Sequence, residues 1–240
     1  MSSIALIPAR SNSRRIPRKC IRDFCGLPML AHPIRTARET GLFDRVIVST
    51  DDEETAAVAR KYGAEVPFLR PAALADDHTP VVEVVRHAIR TLQGQGCGFD
   101  FLCRIFATAV LIAPEDLRQG YDLMRGGARF SMGVKSFPHP IERAIRLDER
   151  GNVHMLHREK FSGRTQDQPA TYYDPGQFCW GSPGAFLSGL PPLLSEGTAA
   201  VVLPPLRGLD IDNEEDWQFA EAIWEFTRRT PPPATPPSQP

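Results

Sequence analysis

The sequence predicts an α/β domain, with a mostly parallel sheet covered by helices on both faces. Three observations predict it. Short apolar runs alternate with segments of helical periodicity over residues 3 to 107. Two of the helical segments run into a glycine, Gly41 and Gly63, where a left-handed C-cap is wanted. The apolar runs are nearly continuous, as in parallel strands buried on both faces, and do not alternate as strands with one wet face do.

SIALIPA (3–9) reads as the first buried strand. PMLAHPIRTARETG (28–41) places Met29, Leu30, Ile34 and Ala37 on one helical face, and RVIVSTDD (45–52) is the next strand, closed by acidic turn residues. EETAAVARKYG (53–63) is a short helix and EVPFLR (65–70) a strand. Thr79 and Pro80 read as N-cap and first position of a helix running to Leu92, and FDFLCRIFA (99–107) is the fourth strand.

After Ala128 the pattern changes. ARFSMGVKSF (128–137) is a further strand, while IRLDERGNVHML (145–156) alternates about Arg150-Gly151-Asn152 as a β-hairpin. Residues 137–175 therefore read as an insertion in a domain spanning 1–229. QFCWGS (177–182) and AAVVLPPL (199–206) regain strand character, with Cys179 and Trp180 read as core. EEDWQFAEAIWEF (214–226) is a closing helix with Trp217, Ala220, Ile223 and Trp224 inward. The end, 230–240, is proline-rich with almost nothing to bury, which predicts a disordered tail.

A formal net charge of −1 argues against nucleic acid or an anionic membrane as partner, since either needs a basic surplus. The sequence has no apolar run long enough for a membrane span and no signal-peptide pattern, so a cytoplasmic protein is expected. Five cysteines without a Cys-x-x-Cys suit reduced thiols better than a disulfide framework or a zinc site.

Two stretches carry chemistry. PARSNSRRIPRK (8–19) holds five positive charges in twelve residues and no glycine, directly after the first strand. It is neither a Walker A loop nor a G-x-G-x-x-G turn. By itself it could be a solvated basic face, but the carboxyl end of a first parallel strand is where open α/β sheets hold phosphate. In LDIDNEEDW (209–217), Asp210 and Asp212 share one face of an extended chain with Ile211 on the other. Such a pair suits a hard divalent ion that bridges substrate phosphates; equally, Asp212 or Asn213 could simply cap the helix that follows.

IPARSNSRRIPRK, GLPMLAHPI, FDRVIVSTDDEETAAVARKYGAEVPFLRPAALADDHT, YYDPGQFCWG and LDIDNEEDW, in this order, resemble the cytidylyltransferases that activate nine-carbon sialic-acid-like sugars. The likeness is greatest to the members that act on pseudaminic acid, and it covers residues 3 to 226. It implies a nucleotide-diphospho-sugar transferase-like, Rossmann-like fold with a small inserted β-rich dimerisation subdomain at 137–175 that reaches the partner's site. It also implies a homodimer, a need for Mg²⁺, and transfer of CMP from CTP to the anomeric hydroxyl of a nonulosonic acid with release of pyrophosphate. Carried over residue by residue, Arg10, Ser13 and Lys19 match the phosphate-contacting loop, and Arg70, Thr79 and Thr108 match further nucleotide-binding positions. Arg164, Gln166, Asp167, Asp174 and Gln177 match the sugar-side segment, and Asp210 and Asp212 the metal site; Arg10, Lys19 and Asp210 are the expected catalytic residues.

Without the resemblance, Arg70 is a loop arginine and Thr79 an N-cap. The chain departs from the family pattern at Cys20, where Asn is usual, at Ser11-Asn12, where many members have Gly-Gly, and at Phe106 and Val110, where Tyr or Gln and Pro are usual. N-acetylneuraminic or legionaminic acid as acceptor, and a nucleotide-binding relative without activity, are the alternative readings.

Overall fold

The computed structural model describes residues 1–11, 13–76, 78–160 and 168–229. The tail expected at 230–240 and the sugar-side positions Arg164, Gln166 and Asp167 lie outside them. The strands are β1 (Ser3–Pro8), β2 (Asp23–Phe24), β3 (Leu27–Pro28), β4 (Arg45–Ser49), β5 (Phe101–Ile105), β6 (Phe130–Ser136), β7 (Ile145–Leu147), β8 (Val153–Met155), β9 (Tyr172–Tyr173), β10 (Phe178–Gly181) and β11 (Thr198–Val202). The α-helices are α1 (Ala31–Thr40), α2 (Glu53–Lys61), α3 (Val81–Gly94), α4 (Pro114–Arg125), α5 (Pro183–Leu187) and α6 (Glu214–Arg229).

The main sheet has the order β11-β6-β10-β5-β1-β4, with β9 paired to β6. β1 is parallel to both β4 and β5, and β11 is parallel to β6, whereas β10 is antiparallel to β5 and β6. Apolar residues of β1 face both ways. Ala5 and Ile7 pack in one core with Leu30, Ile34 and Trp180, and Ile4 and Leu6 in another with Val85, Ile89 and Phe130. A sheet covered on both faces sends its ligands to the carboxyl ends of its parallel strands. β1, β4 and β5 therefore deliver residues 9–19, 50–52 and 106–108 to one edge.

Three local expectations need correction. The strand expected at 65–70 is reduced to two isolated bridges, Ile47 with Glu65 and Thr50 with Leu69, because Pro67 between them has no N–H for the ladder. The helix expected from 28 starts at Ala31; Leu27 and Pro28 instead pair with Asp23 and Phe24 across Cys25 and Gly26, both at positive φ. α3 starts at Val81 with Pro80 as an uncapped N-cap, and Thr79 gives its N–H and hydroxyl to Asp76. The chain leaves β6 at Phe137, forms the β7–β8 hairpin, and returns beside its exit through Phe137 N–H to Thr171 O at 3.0 Å.

α4 crosses the sheet at Gly120. A Cβ there would stand 2.7 Å from Trp180 Cδ1, on a ring fully buried and stacked on Phe43 at 5.0 Å. Gly→Ala inside a helix ordinarily stabilises by about 1 kcal/mol. Here the indole cannot yield, so Gly120→Ala is expected to destabilise by about 1–3 kcal/mol, read as a lower urea midpoint at unchanged m-value. A rise in midpoint would show that the helix can lift off the sheet.

Candidate active site

A third apolar cluster lies beside the carboxyl edge of the sheet. It joins Ile16, Phe24, Met29, Val110, Ile211, Trp217, Ala220 and Ile223, drawn from the basic loop, the β2–β3 hairpin, the turn after β5, the acidic segment and α6. Ile16 sits in the middle of the basic run and Ile211 between the two aspartates, and both are fully buried. Their charged neighbours are thereby turned outward toward the same opening. Val110, where the family pattern has Pro, is a member of this cluster.

Across the opening the two charged segments are tied together. Lys19 Nζ donates to Ile211 O at 2.6 Å and lies 3.9 Å from Asp212, while Arg15 pairs with Asp212 at 2.7 Å. Arg22 takes both oxygens of Glu214 at 2.7 Å, with its guanidinium 4.3 Å from the Trp217 ring centroid. The helix cap is settled as well. Asn213 Oδ1 accepts the Asp216 N–H and Asp216 returns the contact to the Asn213 N–H, which leaves the Asp212 carboxylate free of capping.

The cleft so formed has a volume of about 290 Å³, and Arg10, Lys19, Cys20, Arg70, Thr79, Thr108, Asp210 and Asp212 all line it. Of the expected nucleotide-side residues only Ser13 is outside the lining; it stands half-exposed in the loop. On the sugar side, Asp174 lines a neighbouring pocket. Gln177 is fully buried and donates to the carbonyls of Pro175 and Leu209, which ties the start of β10 to the acidic segment. A side chain held in this way acts as a brace beneath Asp210.

Cys20 lies on the cleft floor with its thiol 3.6 Å from Arg10 O, and burial pushes it up to about 11 against the opposing pull of Lys19, Arg70 and Arg10. It is an inert thiol at neutral pH. Arg18, just before Lys19, takes φ 55° and ψ 31° and pairs with Glu54, so an arginine occupies a left-handed position that glycine usually fills. Asp51, at the end of β4, accepts the Ser11 N–H at 3.1 Å and hydroxyl at 2.6 Å and also the Arg70 guanidinium at 3.3 Å. Burial would raise this carboxyl, but the Ser11 contacts and Arg70 outweigh it and hold it below its ordinary value. Asp51 thus fixes the loop backbone at Ser11 beside the cleft.

The donor set fits a hard divalent cation shared with a substrate. Burial first, then repulsion from Asp212, raises the Asp210 carboxyl; its surface is open to the cleft although protein surrounds it at longer range. A cation between the two would relieve that. Among the described residues no three His, Cys, Asp or Glu side chains gather as a metal cage. Asp210 and Asp212 are two carboxylates, the number Mg²⁺ commonly takes from protein while water and phosphate oxygens complete its shell.

Sequence reasoning missed Ile16, Arg15, Arg22, Glu214 and Asp51. Asp51 had a signal, an acidic residue directly after a buried parallel strand; the others make contacts about 200 residues away in the chain.

A family model for cytidylyltransferases matches residues 4–132. The pseudaminic acid cytidylyltransferase of Campylobacter jejuni subsp. jejuni serotype O:2 is 37% identical over 231 residues, covering 96% of this chain and 99% of its own length. The CMP-N,N'-diacetyllegionaminic acid synthase of Legionella pneumophila subsp. pneumophila is 27% identical, covering 95% of this chain and 98% of its own. Among solved structures, a CMP:2-keto-3-deoxy-manno-octonic acid synthetase complexed with CTP superposes with a TM-score of 0.69 at 16% identity, over 94% of this chain and 99% of that one. The 4-diphosphocytidyl-2C-methyl-D-erythritol synthase of Anaerococcus prevotii gives 0.62 at 12% identity, over 93% and 98% of the two chains. These last two share the fold.

Asp51→Ala would leave Arg70, only 3% exposed at its side chain, without its carboxylate and would release Ser11. A loss of about 3 kcal/mol in urea unfolding is expected, with Asp51→Asn losing clearly less. Equal effects of the two variants would mean that the charge is not what matters.

Proposed function

The chain belongs to the cytidylyltransferase family and is a CTP-dependent nucleotidyltransferase, and from that premise we propose that it transfers CMP to pseudaminic acid. The anomeric hydroxyl of the sugar attacks the α-phosphorus of CTP in line, the CMP-sugar forms, and pyrophosphate leaves. The observation that carries the reading is the convergence of a cationic loop and a two-carboxylate segment on one cleft at the carboxyl end of β1. The full-length likeness to enzymes named for pseudaminic acid supports the choice of sugar.

In this reading Arg10 and Lys19 offset the charge that grows on the departing pyrophosphate. Lys19 is held for that task by the Ile211 carbonyl, which ties the phosphate side of the cleft to the carboxylate side. Asp210 and Asp212 would hold Mg²⁺, which when bound polarises the α-phosphoryl group. Arg15, which pairs with Asp212 at 2.7 Å beside these carboxylates, would be a further cation for the substrate phosphates. Thr108 and the Phe106 ring form the wall at the end of β5, and Cys20 fills the floor where an amide is usual. No group of the protein needs to form a covalent intermediate.

Homodimerisation belongs to the same proposal. Ile145, Leu147, Val153 and Leu156 of the β7–β8 hairpin are each more than half exposed, with Leu147 at 64% and Val153 at 62%, and a two-stranded ribbon cannot cover its own apolar face. A second copy of the hairpin supplies that cover. A nucleoside triphosphate substrate supports a cytoplasmic setting, and among the described residues no helix is long and apolar enough to cross a membrane.

Purified protein is expected to release pyrophosphate from CTP and Mg²⁺ when pseudaminic acid is added, and to prefer it over N-acetylneuraminic and legionaminic acids; CTP binding without release would refute the reaction. Lys19→Met should lower kcat by about 10²- to 10³-fold and not merely raise KM. Arg14→Gln, a change outside the cleft lining, should stay within about tenfold. For assembly, Leu147→Asp combined with Val153→Asp should shift sedimentation from dimer to monomer, and an unchanged dimer would move the interface elsewhere.

A further inference from the structure

The geometry points to a second compartment of the active site, behind Phe106, in which Arg104 receives the carboxylate of the acceptor sugar. The inference rests on the proposed reaction for the identity of the ligand and on the following observations for the site. Arg104 interrupts the apolar run of β5, between Cys103 and Ile105, which are both fully buried. Its side chain lines a cavity of about 280 Å³ whose walls are mainly apolar, Val81, Val85, Met132, Phe186 and Pro191 among them. Its Nε is sealed from solvent and has no hydrogen-bond partner among the described residues. Among the described residues its guanidinium makes one cation–π contact, with the Phe106 ring, 4.2 Å from guanidinium carbon to centroid. Arg104 is half-buried, and a guanidinium keeps its proton at any physiological pH, so a permanent charge with a sealed, unpaired Nε faces largely apolar walls, where an anion would complete it.

The pocket adjoins the nucleotide cleft. Val81 lines both, and Phe106 lines the cleft while stacking with Arg104. The chain at Gly176 passes between Phe106 and Asp210, with a Cβ there 3.8 Å from the ring and 3.6 Å from the Asp210 carboxylate. α3, fourteen residues long, begins at this junction with no side chain capping it, so the positive end of its dipole adds to the field of Arg104. Asp174 is the single acidic residue of the lining. It accepts the Gly176 N–H at 2.8 Å and forms no ion pair with Arg104, which leaves carboxylate oxygen for hydroxyl or amide donors.

A ulosonic acid matches these features. Its carboxylate is ionised at neutral pH and sits on the anomeric carbon, next to the hydroxyl that attacks. A fork-shaped cation binding that carboxylate directs the neighbouring hydroxyl back past Phe106 toward the α-phosphorus, while acyl and methyl groups take the apolar walls. Arg104 is thus a specificity residue for acidic keto-sugars; it carries no proton in the reaction.

The test compares wild type, Arg104→Met and Arg104→Lys, using pseudaminic acid and its neutral methyl ester. Pyrophosphate release gives KM for sugar and for CTP, and calorimetry with CMP present gives sugar affinity without turnover. Arg104→Met is expected to raise the KM and Kd for the acid at least about tenfold, to leave the KM for CTP within about twofold, and to erase discrimination between acid and ester; Arg104→Lys should restore part of it. Unchanged sugar KM and an unchanged acid-to-ester ratio in Arg104→Met would overturn the assignment while the reaction itself stands. If wild type does not turn over, the proposed reaction falls and calorimetry decides the pocket: Arg104-dependent binding of the acid upholds it, and absent or Arg104-independent binding overturns it. Should Arg104→Met lose CTP binding and its circular dichroism signal, the acid-to-ester ratio of wild type and of Arg104→Lys decides, and a ratio of one overturns the pocket.

Discussion

The site depends on one piece of apolar packing, the burial of Ile16 and Ile211 against Trp217. A loop of five cations and a segment with two neighbouring carboxylates each repel themselves, and neither would hold a shape in water. Each is pinned by a central isoleucine, whose burial contributes about 1.5–3 kcal/mol. With the isoleucines in the same cluster, the charges on either side of them meet across the cleft with opposite sign. Self-repulsion within each segment is then offset by attraction between the two.

The consequence is a site assembled from the two ends of the fold. Lys19 and Ile211, Arg15 and Asp212, and Arg22 and Glu214 are all separated by more than 190 residues. The pairs are partly exposed, so each one adds little by itself. What they add is register: the loop has no glycine to bring its amides to phosphate, and its side chains must be aimed from a backbone that Asp51 and the third apolar cluster hold. Arg18 in a left-handed conformation is the strained joint of that arrangement.

Two arginines on the same edge, Arg70 buried and Arg104 half-buried, are left incompletely satisfied, and they differ in an informative way. Arg70 has Asp51 as a built-in partner at 3.3 Å and an orphaned Nε, so it is a fixed part of the cleft wall. Arg104 has an orphaned Nε and only an aromatic face. The sealed, unpaired Nε of Arg104 is the reason for proposing that a ligand, and not the protein, completes its interactions.

Much of this was legible in the sequence. Continuous apolar runs of five to seven residues admit few readings other than buried parallel strands when helical segments separate them, and so β1, β4 and β5 and the edge that carries the cleft followed from pattern alone. The two-residue spacing of Asp210 and Asp212 gave their common face for the same reason, a period set by local backbone geometry. Pattern does not carry direction or partner. Nothing in QFCWGS says that β10 runs against its neighbours, nor does EVPFLR, with Pro67 at its centre, announce that only two bridges survive. That Asn213 and not Asp212 caps α6, that Gln177 is a buried brace, and that Arg15 and Arg22 face acids from the far end of the chain are outcomes of packing. Local propensity acts over a few residues. These contacts span most of the chain, so only the closed tertiary structure could decide them.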